Sequence, residues 1–404
     1  MNSTTPLPRH VLALYCLATG FSVAPVVYHQ SMAALIAASF GLPVDALWSL
    51  SLATQCGYGA ALVLCLPLGD LYSARLLIPG VLLLLGVTLL ALAVTPVLPV
   101  FIVLCAVAGL LSVGGQLLIA QCAKTCLPAE RPAVIGSLLS SLFAGLLLAR
   151  VLAGWGGEFI GWRRVYLSVG VLTLLLGVLV RPYLREALPA APIGYRVMLR
   201  RQYQLWQEHA QLRRLAVIAA CFFAASSGLW ANLGSLAHTT LQWSAGQTGL
   251  LAFTALAGLG SPKLAIYLQR QMPWQAAVLL MGAALVSVSL VGAAVGGAVL
   301  MIIVFLVTCD IAVRSVQALT QSRVLAIDPS AASRLNSLYM TVFFFGAGMG
   351  SWLGGVAAQH LGWLGLYLFA GVCALAGLGV LGVSTRRESG RSVFAQPRRP
   401  FDSP

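Results

Sequence analysis

The stretch PYLREALPAAPIGYRVMLRRQYQLWQEHAQLR, residues 182–213, is the only long polar interval inside this chain of 404 residues. It carries Arg185, Arg196, Arg200, Arg201 and Arg213, and it divides the chain into two halves of similar length. On either side lie apolar runs, each close to the roughly 20 residues that a helix needs to cross a bilayer. Six runs precede the interval, near 11–36, 46–68, 75–95, 97–122, 132–155 and 164–181. Six follow it, near 214–236, 247–268, 274–292, 295–321, 335–358 and 363–384. We number these spans 1 to 12. Residues 195–213 of the interval suit a short amphipathic helix lying on the membrane surface.

Composition agrees with lipid as the main solvent. Hydrophobic residues make up 59% of the chain and charged residues 8%, against about 25% charged in a soluble domain. Mean hydropathy is +0.92. The net charge of +14 in a soluble protein would suggest nucleic acid, but the distribution of the charges argues for the positive-inside rule. With the N-terminus inside, twenty of the 24 basic residues fall on the cytoplasmic side. Arg163 and Arg164 fall outside, and Arg150 and Arg314 lie within spans. Both termini are therefore expected in the cytoplasm, with the chain in the cell inner membrane and no nucleic-acid partner. The first apolar run is too long for a cleavable signal and has no small-residue cleavage site. The tail 385–404, with five Arg and three Pro, is expected to be disordered. The nine cysteines are scattered; Cys122 and Cys126 have no histidine nearby, which argues for structural thiols and against a metal site or disulfide framework.

The expected fold is an all-α membrane protein. Twelve transmembrane helices form two pseudo-symmetric six-helix bundles, residues 1–181 and 214–384, joined by the cytoplasmic linker 182–213. An internal repeat supports the halving. At a shift of 201 residues, 116–168 meets 317–369 without a gap. Gln116 falls on Gln317, Pro128 on Pro329, Phe143 on Phe344, Gly145 on Gly346 and Gly154 on Gly355. Gly161-Trp162 falls on Gly362-Trp363, and Tyr166-Leu167 on Tyr367-Leu368. Parallel repeats of this kind are typical of transporters. Polarity repeats too. Spans 3, 6, 9 and 12 are nearly bare of large polar groups, whereas spans 1, 4, 7 and 10 carry them. Polar side chains facing lipid are costly, so these four helices are expected to line an interior path.

Gly57-Tyr58, Pro67-Leu68-Gly69-Asp70 and Arg75-Leu76-Leu77 resemble the signature loop between helices 2 and 3 of major facilitator transporters. Tyr28-His29-Gln30, Ala149-Arg150-Val151-Leu152-Ala153-Gly154 and Gly161-Trp162-Arg163 resemble the branch that contains drug, arabinose and purine-ribonucleoside efflux permeases. The resemblance covers the whole chain and is strongest over 44–167. The signature departs from the pattern at Leu66, Leu71, Ser73 and Ala74, and the second-half copy near 258–270 lacks the acidic residue. The resemblance implies a secondary active transporter that exports a small organic molecule by proton antiport and alternating access. A drug, sugar, nucleoside or secreted metabolite such as a siderophore all fit. An importer or facilitator of a small polar solute on the same fold is the alternative. An enzyme is not expected: H-E-x-x-H and G-x-S-x-G are absent, and neither Lys124 nor Lys263 follows a glycine, as a P-loop lysine would. No cofactor and no metal are expected, and the transporter is expected to act as a monomer.

Candidate residues follow from position. Asp310 is the carboxylate placed deep within a span, with Arg314 one turn on; the pair is either a proton-coupling and substrate site or an internal salt bridge. Arg150, which the family pattern shares, either binds substrate anions or reaches Asp310 across the cavity, or is a structural arginine that snorkels or bonds to carbonyls near the outer leaflet. His29 is a second candidate proton carrier, against a satisfied interior histidine. Tyr28, Gln30, Gln116, Trp230, Asn232 and Gln317 are candidates for the substrate path by their polarity. Gly69, Asp70 and Arg75 are expected to form a cytoplasmic gating latch, with Asp70 capping a helix or pairing with an arginine; the alternative is a plain topogenic loop.

Overall fold

The computed structural model describes residues 7–42, 47–185, 194–328 and 331–394, with side chains described as far as Gly382 except that of Leu259. Lipid offers no hydrogen-bond partner to the backbone, so each apolar run closes its own bonds within a helix. Among the described residues eleven helical stretches are long and apolar enough to cross a membrane: Arg9–Val26, Trp48–Asp70, Ala74–Val94, Leu98–Thr125, Arg131–Phe159, Trp162–Tyr183, Ala210–Leu241, Ala245–Gln271, Trp274–Val295, Val299–Leu325 and Ala332–Gly382. The last bends at Gly362, whose φ of 58° is non-helical, and holds spans 11 and 12. The twelve expected spans are all present in order.

Four spans are less regular than their apolar sequence suggests. Span 1 was expected as one helix over 11–36, but its first helix ends at Val23, a 3-10 turn holds Ala24–Val26, and short helices then run Tyr28–Ser31 and Ala33–Phe40. Pro25, which has no N–H to give, explains the interruption. Span 2 tightens to 3-10 over Leu66–Asp70 around Pro67. Span 4 breaks between Leu111 and Gly114, where Gly115 N–H turns aside to donate to Ser22 Oγ of span 1 at 2.8 Å. Span 8 is 3-10 over Leu251–Gly260, ten residues at the centre of the span. Runs of this type longer than three or four residues are uncommon and often mark function.

The buried side chains form two cores, one drawn from Val11–Leu184 and one from Leu212–Leu381. The repeat is visible in detail. Gly161 and Gly362 turn the chain with φ of 87° and 58°. The tryptophans that follow donate to equivalent hydroxyls, Trp162 Nε1 to Ser39 Oγ at 3.1 Å and Trp363 Nε1 to Thr240 Oγ1 at 2.8 Å. Repeated glycines allow close helix crossings. A Cβ at Gly145 would lie 2.6 Å from Gly20 O, and one at Gly346 would lie 2.7 Å from Ala220 O; these crossings fall within each half. A Cβ at Gly154 would lie 2.5 Å from Ala245 O, and one at Gly355 would lie 2.7 Å from Trp48 Cβ. These two crossings join the halves, span 5 to span 8 and span 11 to span 2. We call the ends bearing Gly161 and Gly362 the far face, and the ends bearing Asp70 and Lys124 the near face.

The linker also differs from expectation. Its amphipathic helix runs Tyr195–Glu208 and stops there rather than at 213. His209, with φ of −101° and ψ of 86°, turns the chain into span 7, which begins at Ala210 rather than 214. Arg213 Nη1 caps the corner by donating to Gln207 O at 2.6 Å. At the other end, the last helix runs to Phe394, past the expected start of the tail at 385. Residues 186–193 of the linker and 395–404 of the tail lie outside the described residues.

Candidate functional site

The polar side chains of spans 1, 5, 7 and 10 meet in a seam between the two halves. Arg150, on span 5, donates from Nε to Gln30 Oε1 on span 1 at 3.1 Å. Its guanidinium carbon stands 4.3 Å over the ring of Trp230 on span 7, across the seam. Trp230 Nε1 in turn donates to Asp310 Oδ1 on span 10 at 3.3 Å, and Ser226 Oγ donates to the same oxygen at 3.4 Å. Gln30, Arg150, Trp230 and Asp310 thus form one connected row from the first half to the second. Asp310 is 5% exposed, and its Oδ2 has no hydrogen-bond partner. A buried, half-satisfied carboxylate is costly to keep, and such residues in a membrane interior mark function by default.

Arg314 behaves differently from its expected role. It makes no ion pair with Asp310: its guanidinium carbon lies 5.4 Å from the centre of the Phe143 ring on span 5, and its Nε has no partner. A Cβ at Gly258 would lie 2.6 Å from Arg314 Nε and 3.6 Å from Asp310 Cβ. The bare backbone of the tightened stretch in span 8 therefore admits the arginine, which reaches across the seam toward Phe143. Arg150 and Arg314 remain the charged groups whose fields reach the Asp310 carboxylate.

The other candidates lie apart from this row. His29 Nε2 is 2.7 Å from Ser51 Oγ on span 2, and its Nδ1 is buried without a partner. Tyr28 packs edge-on against Tyr166 of span 6 at 6.1 Å, inside the first core. Asn232 ties spans 7 and 11 by donating to Gly228 O at 2.8 Å and Ser351 O at 3.3 Å. Gln116 Nε2 donates to Tyr58 OH at 3.3 Å, whereas Gln317 Nε2 faces Met340 Sδ at 3.7 Å. The two glutamines match in the repeat yet hold different partners. Phe143, Gly258, Ser51 and Tyr58 were not singled out as site residues by their sequence; Phe143 was marked only as a repeat match.

At the near face, Asp70 pairs with Lys124 of span 4, not with an arginine or a helix terminus. Lys124 Nζ also donates to Gly69 O at 3.2 Å, and Arg75 Nε donates to Leu184 O at 2.9 Å. The Asp70 and Lys124 contacts lie within the first half, and that of Arg75 reaches the start of the linker. A cavity of about 100 Å³ separates this cluster from Ser333, Arg334 and Ser337 of span 11 and from Met198 and Gln202 of the linker helix.

A family model described as the Major Facilitator Superfamily matches residues 12–326. The uncharacterized transporter YgaY of Escherichia coli O157:H7 is 30% identical over 379 residues, covering 92% of this chain and 96% of that protein. A probable transporter of Streptomyces coelicolor is 30% identical over 388 residues, covering 91% and 85%. Among solved structures, the nucleoside transporter NupG superposes with a TM-score of 0.75 at 11% identity, covering 92% of this chain and 99% of that one.

Proposed function

The chain belongs to the major facilitator superfamily and is a multi-pass membrane transporter, and from that premise we propose that it exports a small organic molecule across the inner membrane in exchange for protons. The substrate class is a drug, sugar, nucleoside or secreted metabolite. Both termini lie in the cytoplasm on this reading, which rests on the charge asymmetry of the sequence. The two cores move as bundles and expose the seam to one side at a time. Asp310 is the proton-responsive group, and Arg150 and Trp230 carry its state to the other half.

One observation carries the reading: Asp310 is buried with one oxygen unsatisfied, and its other oxygen bonds to the ring on which Arg150 of the opposite half stacks. Protonation at Asp310 changes what Trp230 and the two arginines face. A change in protonation that alters contacts across the seam is what coupling needs, because proton and substrate then bias one equilibrium. The test has two steps. Culture media of a strain lacking the gene and of its parent are compared, and the compound missing from the deletion medium is taken as substrate. Proteoliposomes are then loaded with it. Asp310→Asn should abolish uphill movement driven by a pH gradient while leaving downhill exchange measurable. Accumulation that persists in Asp310→Asn would remove Asp310 from the coupling role and leave His29 as the next candidate.

A further inference from the structure

The linker helix Tyr195–Glu208 has two faces with different contacts. Its inner side lies on the near face of both halves. Tyr195 OH donates to Leu64 O at the end of span 2, at 2.9 Å. Met198 and Gln202 border the near-face cavity opposite Ser333, Arg334 and Ser337 of span 11. Gln202 is 3% exposed, and its Oε1 has no partner. The helix therefore crosses the line where spans 2 and 11 meet, bonded to one side and packed on the other. Its outer side presents Arg196, Arg200 and Arg201, all exposed, with Val197 and Tyr203 exposed among them. Among the described residues none of these three arginines meets a carboxylate within ion-pair distance.

An outward row of unpaired arginines with an apolar and an aromatic side chain, held level with the ends of the spans, fits the headgroup zone of a bilayer. Its charge selects the occupant, which is anionic lipid. We propose that the linker helix is a strap held down by anionic lipid headgroups, and that this docking keeps the near face shut. The proposal rests on the reading that the halves part on this face. For spans 2 and 11 to separate there, the strap must release either Tyr195 from Leu64 or the Gln202 turn from span 11. Headgroup phosphates bound to Arg196, Arg200 and Arg201 oppose that release.

The test uses the full-length protein in vesicles of phosphatidylethanolamine alone or of phosphatidylethanolamine with phosphatidylglycerol. In one arm a fluorophore on Gln204→Cys is quenched by brominated lipid. Brominated phosphatidylglycerol should quench more than brominated phosphatidylethanolamine. The triple change to glutamine at Arg196, Arg200 and Arg201 should remove the difference, and the triple change to lysine should keep it. In the other arm Ala120→Cys, on the cavity wall, is labelled by a small polar thiol reagent. Phosphatidylglycerol should slow labelling by at least about fivefold, the worth of one basic residue at an anionic surface, and the glutamine variant should lose that dependence. Free glycerol 3-phosphate should not release the strap. Equal quenching by the two lipids, labelling indifferent to lipid, or release by the free phosphate would each overturn the proposal. No arm requires a substrate or a pH gradient, so failure of proton-coupled export would leave this result untouched.

Discussion

Replacing Gly154 by alanine should shift the balance between the two arrangements of the halves without unfolding either. The added Cβ would stand 2.5 Å from Ala245 O, a backbone atom, and ordinary contact begins at 3.4 Å. Spans 5 and 8 must therefore move apart at the far face by most of an ångström. Overpacking of this kind costs about 1–3 kcal/mol. The cost applies only while the far face is closed, because the two backbones touch only then. The gain in helix propensity, about 1 kcal/mol for Gly→Ala, is shared by both arrangements and cancels. The closed-to-open ratio should fall by about 5- to 150-fold, the equilibrium equivalent of that range. Thr248, 5% exposed and on span 8 beside this crossing, provides the reporter. A cysteine at Thr248 should react faster with a small polar thiol reagent in the Gly154→Ala background by that factor. Two controls separate the effect from general damage. Gly136 lies on the same helix with nothing within 4 Å of an added Cβ, so Gly136→Ala should change nothing. Gly145→Ala meets Gly20 O at 2.6 Å within one half, so it should lower thermal stability and leave the labelling rate alone. An unchanged rate in Gly154→Ala, or an equal rise in Gly145→Ala, would refute the reasoning.

Two further outcomes are expected. The Asp70–Lys124 pair is half-exposed and lies wholly in the first half, so Asp70→Asn should cost less than about 1 kcal/mol of stability; a fall in melting temperature larger than that of Gly145→Ala would contradict it. Cys126, just past the end of span 4, is held below the ordinary thiol range, first by its bond from Cys122 and then by Arg185 and Arg131 against the opposing effects of burial and Glu130. Alkylation reports thiolate, so its midpoint at Cys126 should lie below the usual value of about 8.5 and rise in Cys122→Ala; a midpoint at or above the usual value, read by peptide mass spectrometry, would refute the assignment.

Span number and order were legible because lipid imposes a length and a polarity on each helix that few sequences satisfy by accident. The interruptions were not. Leu251–Gly260 reads as apolar as any neighbouring run, and nothing local in it marks the tightening or the arginine that Gly258 admits from another helix. Scarcity made Asp310 and Arg150 legible, since charge is rarely placed at membrane depth without use. Their partners depend on how the halves meet. Trp230 lies 80 residues from both Arg150 and Asp310, and no local spacing could have paired them. Arg314 illustrates the limit of helical spacing: one turn from Asp310, it points to Phe143 because the gap at Gly258 is there. Asn232 was selected by polarity alone, and its amide is spent on carbonyls that join spans 7 and 11.

The contacts across the seam differ in kind from those within a half, and the difference bears on the proposed cycle. A buried ion pair must be desolvated each time it forms, at several kcal/mol per ion before the mutual attraction is counted. A transporter that closed its halves with such pairs would meet that cost at every turnover. Among the described residues the ion pair found, Asp70–Lys124, is confined to one half. Across the seam the halves meet through glycine against backbone, Gly154 on Ala245, through single hydrogen bonds such as Thr341 Oγ1 to Gly59 O and Gly246 N–H to Glu158 Oε2, and through cations over rings, Arg150 on Trp230 and Arg314 on Phe143. A cation–ring contact is worth about 0.5–2 kcal/mol, and Arg150 keeps its bond to Gln30 on its own half when the ring moves away. Asp310 keeps Trp230 and Ser226, both on its own half, in the same event. Arg150 and Asp310 therefore each carry their polar partners through the motion, and what changes is the field that Arg150 exerts on the free oxygen of Asp310. A small rearrangement at that one atom is then enough to tie a proton to the position of the halves.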